Sequence, residues 1–375
     1  MIRDSVTTRL QTGPFGNPSP QLVCRLCRRL LAVCLALIVA GHPVSQAQDT
    51  PQPSARKSGA WTSPIDRPNS VASLESLTIG GVKQFILIRG EDKSKPILLF
   101  LHGGPGMPMM YLAHSFQAWL EKDFVVVQWD QRNAGKSYDP DNIPADTMNV
   151  EQFISDTHEL TQYLRHRFGA PKIFLVGHSW GSYLGILVAH RYPQLFYAYV
   201  GVGQVANSER AVKIQEGFIL SQLKATGCTP DQIARFENNP EADRENYLFK
   251  FHGELYRSEN YSPLVKAGLA APEYTLRDAF NVAKGPQYAA KHMRYNAISG
   301  ELMDAIREVN VPVYFMEGRH DYTAPSELAV EYLAKLRAPS RHLVWFENSA
   351  HFPFFEEPEE FATHMRAILR ETKGR

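Results

Sequence analysis

The chain has 375 residues, 40 of them basic and 39 acidic, for a net charge of +1, and 44% of it is hydrophobic. That balance fits a folded protein with a sizeable core, and without a basic patch it gives no sign of nucleic-acid binding. Four cysteines in such a length exclude a disulfide-stapled scaffold.

In chain order, Arg25, Arg28 and Arg29 precede an apolar run, Leu30–Ala40, and small residues follow at Ser45 and Ala47. A charged region, an apolar region and small residues one position apart read as a signal peptide over residues 1–47, cut after Ala47. The run is too short to span a bilayer comfortably, which takes about 20 residues. The expectation is therefore removal and a periplasmic or secreted protein, with no stable membrane insertion. Cys24, Cys27 and Cys34 would leave with the leader, so Cys228 alone remains and no intrachain disulfide can form. Removal would also leave 35 basic and 38 acidic residues. Residues 48–70, rich in Pro, Ser and Gln, read as a disordered tether.

Strand and helix signals then alternate. Residues 73–79 and 82–89 flank Gly80-Gly81, a hairpin signal. Residues 96–101 and 124–129 are unbroken apolar runs, as expected of strands buried on both faces. Apolar positions 150, 153, 154, 160, 164 and 168 make a helical stripe, closed by Gly169. A strand over 172–176, a helix over 182–190 and a strand over 198–202 follow. From about 205 to 299 the chain is polar and helix-like, and then alternation resumes: strand 311–316, helix 326–336, strand 342–346, helix 358–370. This order predicts a doubly wound, mostly parallel sheet with an inserted helical cap. The core would comprise residues 71–204 and 300–375, and the cap 205–299.

Gly177-His178-Ser179-Trp180-Gly181 sits between the strand at 172–176 and a helix. A G-x-S-x-G turn in that setting is what the nucleophile elbow of an α/β-hydrolase requires, and it would put the serine hydroxyl above the carboxyl edge of the sheet. Serine needs a histidine to take its proton and a carboxylate to orient that histidine. Asp321 and His351 follow the last two strands, in the order such enzymes use. Glu317, nearer its strand, is a rival acid, but Asp321 lies further into the loop with room to reach across. His320 is expected to line that loop. His178, beside the nucleophile, cannot fold back as its base and reads as structural. Donors for a developing oxyanion are expected at the backbone N–H of Trp180 and of Gly104, the latter in the loop His102-Gly-Gly-Pro-Gly106.

These segments, together with Asp130-Gln-Arg-Asn-Ala-Gly-Lys-Ser137, Gly318-Arg-His-Asp321 and Ser349-Ala-His351, resemble the prolyl aminopeptidase (proline iminopeptidase) branch of the α/β-hydrolases. The resemblance covers about 74–205 and 300–370. It implies release of an N-terminal residue, typically proline, from small peptides, with no metal or other cofactor. It further implies that Asp130 and Arg132 brace the loop beneath the site. Asn133 stands where that family has glycine. The family's cap glutamates, which hold the substrate's free amine, have no recognisable motif here; Glu209 and Glu216 could face the site, although solvated helix positions describe them better. The expected partner is thus a short peptide or small molecule, and the expected chemistry is serine hydrolysis through an acyl-enzyme. A small ester, lactone or non-peptide amide is the alternative substrate, and a non-catalytic binder on the same scaffold is the reading from another class.

Overall fold

The apolar runs of the sequence become the strands of one sheet. The computed structural model describes residues 61–295 and 300–373. The expected signal peptide with its cut after Ala47, residues 48–60 of the expected tether, and cap residues 296–299 lie outside the described residues. The strands are β1 (Val71–Ile79), β2 (Val82–Gly90), β3 (Ile97–Leu101), β4 (Val125–Asp130), β5 (Ile173–His178), β6 (Phe196–Val202), β7 (Val313–Gly318) and β8 (Arg341–Phe346). Their order is β1-β2-β4-β3-β5-β6-β7-β8. β2 pairs antiparallel with β1 and with β4, and the remaining pairings are parallel.

β3, β4 and β5 are buried along their whole length. Leu99, Val127 and Leu175 enter one apolar cluster, while Leu98, Val126 and Phe174 enter another. Side chains alternate across a strand, so a sheet covered on both faces favours apolar residues at successive positions, which is why these strands read as apolar runs, interrupted in β4 by Gln128, whose buried amide donates to Gln117 Oε1 at 3.1 Å. The longer helices are α1 (Val150–Phe168), α2 (Trp180–Arg191), α3 (Ser208–Ala225), α4 (Pro230–Asn238), α5 (Pro240–Lys250), α6 (Ser262–Ala270), α7 (Leu276–His292), α8 (Ser326–Lys335) and α9 (Pro358–Lys373). α1 begins where the Asn149 side chain accepts from the Gln152 N–H and ends where Gly169 turns left-handed at φ 63°. α1, α2 and α8 cover the first cluster, and α9 covers the second with Phe361, Ala362, Met365 and Ile368.

The block between β6 and β7 carries α3 to α7 and, among the described residues, no strand. Two contacts seat it on the core loop that follows β4. Tyr274 donates to the Asp130 carboxylate, and Lys136 Nζ lies 2.7 Å from Asp278 Oδ2.

One boundary is corrected. Residues 61–70, expected to belong to a disordered tether, are docked. Trp61 N–H donates to the Pro272 carbonyl at 3.1 Å, and Thr62 Oγ1 to Glu273 Oε1 at 3.0 Å. Arg89 Nη1, from β2, donates to Thr62 Oγ1 and to the Ser63 carbonyl, each at 2.6 Å. The local composition is polar, but partners remote in sequence on both the cap and the core fix this stretch.

The sheet places the site. β3 lies between β4 and β5, so the connections leaving β3 and β4 depart to opposite sides of the sheet. A crevice opens at such a switch point, beyond the carboxyl ends of the strands. The loops carrying His102–Gly106 and Ser179 both start there.

Candidate active site

Ser179 follows β5 with φ 54° and ψ −119°, a strained conformation for a residue with a side chain. The flanking glycines make the turn possible. A Cβ on Gly177 would meet the Gly181 carbonyl oxygen at 2.2 Å, and one on Gly181 would meet the Leu101 carbonyl oxygen at 2.0 Å. The Ser179 N–H donates to the Val202 carbonyl at 3.0 Å, and Ser182 Oγ donates to the Ser179 carbonyl at 2.6 Å. Trp180 opens α2, whose N-terminal dipole favours negative charge at this spot.

The loop after β3 lies against the same turn. A Cβ on Gly103 would sit 3.3 Å from Ser179 Cβ. Gly104 has φ 110° and precedes a cis peptide to Pro105. His102 braces this loop from inside. Its Nδ1–H donates to the Gly103 carbonyl at 2.8 Å, and its Nε2 accepts from the Gln131 N–H at 3.2 Å. That pattern requires a neutral ring, and burial pushes the His102 pKa down to about 4.

His351 and Asp321 meet directly. His351 Nδ1 donates to Asp321 Oδ2 at 2.8 Å, with both side chains almost fully buried. Asp321 Oδ1 accepts from the N–H groups of Thr323 at 2.9 Å and Ala324 at 2.8 Å, so the carboxylate is held from both oxygens. The bond at Nδ1 leaves Nε2 as the nitrogen able to serve a hydroxyl. The pair packs on the glycine that follows β6: a Cβ on Gly203 would meet His351 Nδ1 at 2.8 Å and Asp321 Oδ2 at 3.1 Å. Val202, one residue earlier, is the residue that holds the Ser179 N–H. The other link runs through His178, whose Nε2 donates to the His351 carbonyl at 2.8 Å while its ring lies 4.6 Å from the His351 ring.

The rivals are accounted for. Glu317 is fully buried at the end of β7 and accepts from the Gln204 N–H at 3.1 Å, not from the histidine. Burial, with Asp321 nearby, raises its pKa well above the usual range. His320 stacks on Tyr256 with centroids 4.1 Å apart. Burial and His351 hold His178 well below the ordinary histidine pKa. Glu209 is exposed and paired with Lys213, and Glu216 pairs with Arg244.

Sequence reasoning missed a strap of the cap, His252–Arg257. The Gly253 carbonyl accepts from Tyr322 N–H and the Glu254 carbonyl from His351 N–H, each at 3.0 Å. Thr323 Oγ1 donates to the Glu254 carboxylate. Glu356, just past the histidine, accepts from Tyr256 N–H and Ala350 N–H, both at 2.8 Å. The acid loop and the histidine loop are therefore stitched together by cap backbone. No local pattern marks these residues, because the partners are backbone groups far away in sequence.

The electrostatics carry a pH signature. Burial alone would lower the His351 pKa, but the Asp321 carboxylate at Nδ1, with Glu254 and Glu356 beyond, raises it above the ordinary 6.5. Only the neutral ring can accept a proton. As the pH falls through that raised pKa, kcat/KM should fall, with a midpoint above 6.5 on the acid limb. Glu356 is itself pushed up to about 7 by burial, so Glu356→Gln removes its titration from the profile and, because Glu356 helps raise the His351 pKa, should also move the midpoint down. A midpoint below 6.5 in both proteins would contradict the assignment of the base.

The Asp130–Ser137 segment supports this arrangement from below. Asn133 takes φ 55°, which asparagine tolerates better than other residues with a Cβ, and this explains its presence where glycine is usual. Gln131 accepts from the Trp180 indole at 3.2 Å. Arg132 is buried in a two-pronged pair with Asp156, at 2.7 and 2.9 Å.

Residues 98–364 match the alpha/beta hydrolase family, and the chain belongs to that family. It is 35% identical over 316 residues to the probable aminopeptidase YbaC of Bacillus subtilis, covering 82% of this chain and 99% of that protein. A proline iminopeptidase of Thermoplasma volcanium is 24% identical over 292 residues, covering 76% and 92% of the two chains. Among solved structures, the proline iminopeptidase of Mycobacterium smegmatis has the same fold, with a TM-score of 0.60 at 20% identity over 80% of this chain and 98% of that one. Among the described residues no helix is long and apolar enough to cross a membrane.

Proposed function

We propose that the chain is an exported serine hydrolase of the aminopeptidase type, acting in the periplasm or outside the cell. The observation that carries this reading is the His351–Asp321 pair set on Gly203, next to the elbow that holds Ser179. Ser179 Oγ attacks the carbonyl carbon of the first peptide bond, and His351 Nε2 takes the hydroxyl proton. The N–H groups of Gly104 and Trp180 receive the oxyanion. Collapse of the tetrahedral intermediate expels the amine, which receives its proton from His351. A water molecule then loses a proton to His351 and cleaves the acyl-enzyme.

Two cap carboxyl groups support recognition of a free amine. Glu254 interacts electrostatically with His351 and Asp321, and Glu245 with Glu254. Burial raises both, Glu245 to about 8, with Glu254 contributing. Carboxyl groups whose pKa is raised by burial, and for Glu245 by Glu254 as well, gain from an incoming ammonium, which favours their charged form. Glu245→Gln should therefore raise KM about tenfold or more for aminoacyl amides and spare substrates that lack the amine.

The test uses aminoacyl arylamides, prolyl among them, beside a set of aryl esters. The expected result is turnover of free-amine substrates, strongest for proline, abolished in Ser179→Ala. Turnover of esters alone would replace the aminopeptidase reading with that of an esterase. No labelling of Ser179 by a fluorophosphonate would favour a binding protein.

A further inference from the structure

We propose that Gly285, in the middle of cap helix α7, is a positioning residue for the oxyanion loop, so that seating the cap and shaping the oxyanion site are one event. The proposal rests on the reading that Gly104 supplies an oxyanion donor.

The contact is backbone on backbone. A Cβ on Gly285 would sit 2.3 Å from the Gly106 carbonyl oxygen and 3.1 Å from the Asn133 carbonyl oxygen. In return, a Cβ on Gly106 would sit 2.5 Å from the Gly285 carbonyl oxygen and 2.9 Å from Pro286 N. One point of the cap thus touches the loops after both β3 and β4. Helix propensity argues against this choice of residues. Gly costs about 1 kcal/mol relative to Ala in a helix interior, and Pro, which follows at 286, about 3. α7 carries both together at the point that meets Gly106.

A shift at Gly106 reaches the reaction centre through a short chain of tight contacts. Gly106 is left-handed at φ 86°, and a Cβ on Gly104 would meet Gly106 N at 2.7 Å and Met107 N at 2.6 Å. The Met107 N–H in turn donates to the Gly103 carbonyl, and Gly103 lies against Ser179 Cβ. The start of α7 is pinned to the same core loop by Lys136–Asp278 and Tyr274–Asp130. Gly217, in α3, offers a contrast: a Cβ there meets nothing within 4 Å.

The experiment measures the rate of fluorophosphonate labelling of Ser179 per folded molecule, together with kcat and KM, in Gly285→Ala, Gly217→Ala and Lys136→Met. Phosphonylation and acyl transfer both place negative charge on an oxygen at the oxyanion donors. A misplaced donor should slow labelling and kcat by about 10–100-fold in Gly285→Ala, with KM changed by less than about threefold. Gly217→Ala should label like the wild type. Lys136→Met removes one pin without adding an atom to the glycine contact and should slow labelling in the same direction; it decides the matter should Gly285→Ala not fold. Wild-type labelling rates in a folded Gly285→Ala, or in Lys136→Met where the glycine variant is lost, would overturn the proposal. Absence of Ser179 labelling in the wild type would instead remove the serine-hydrolase reading beneath it.

Discussion

Ser179→Ala is expected to lower kcat by about 10⁴–10⁶-fold while leaving thermal stability unchanged. The size follows from the roles of the groups. On the proposed mechanism no acyl-enzyme forms without the hydroxyl, and what survives is direct attack by water at a site that still holds substrate and oxyanion. His351→Ala should cost a similar factor, because an unactivated serine is barely better than none. The two losses should not add, since each removes the same step, and the double variant should match the worse single one. Asp321→Asn should fall short of that, about 10⁴-fold. The amide could still touch Nδ1, but its –NH₂ cannot accept the Nδ1–H that Asp321 Oδ2 accepts at 2.8 Å. Single-turnover rates, with melting curves for each variant, check the series. A Ser179→Ala protein that retained wild-type turnover would show that the elbow plays no nucleophilic part.

Gly203 extends this argument to geometry. Its φ of 53° and the closeness of the His351 ring leave no place for a side chain. Gly203→Ala should therefore push the histidine and acid from their contact, lowering kcat more than it raises KM. A near-normal kcat in a folded variant would mean that the pair has another support.

The core was legible because both faces of its sheet are covered. β3 is apolar throughout and β4 and β5 at most of their positions for that reason, and the strands end within two residues or so of the expected places. Glycines at 177 and 181 are required by backbone contacts that always accompany such a turn, so a local pattern captured a three-dimensional constraint. The cap gave only its helical character. Its helices are fixed by contacts with distant loops, such as Tyr274 on Asp130 and Gly253 on Tyr322, and these leave no periodic trace. The docked segment 61–70 was misread for a similar reason. Its own residues lack an apolar pattern, and Arg89 and Glu273 supply the partners. Glu209 and Glu216 came to notice by position in sequence, whereas Glu254 earns attention only through its carbonyl bond to His351 and its carboxyl contact with Thr323.

Arg132→Met should destabilise the protein by about 3–5 kcal/mol, the usual cost of leaving one member of a buried ion pair without its partner. Both side chains of the Arg132–Asp156 pair are fully buried. Asp156 would keep its bonds from Gln84 at 3.0 Å and Gln152 at 2.8 Å, but two amide donors do not offset a buried negative charge. Adding Asp156→Leu removes that charge and should recover part of the loss. Recovery stays incomplete, because Gln84 Nε2 keeps the Ile79 carbonyl at 3.0 Å but its second N–H then lacks an acceptor in a buried place, at a cost of about 1–3 kcal/mol. The double variant should therefore lie between the wild type and Arg132→Met in urea unfolding, with the m-value unchanged. Activity should follow the pair for a structural reason: Gln131, the residue before Arg132, holds both the His102 ring and the Trp180 indole. Loosening Arg132 therefore loosens the two loops that flank Ser179. A single variant as stable as the wild type would mean that the buried Asp156 carboxyl does not depend on the guanidinium, and that the pair does not hold this loop in place.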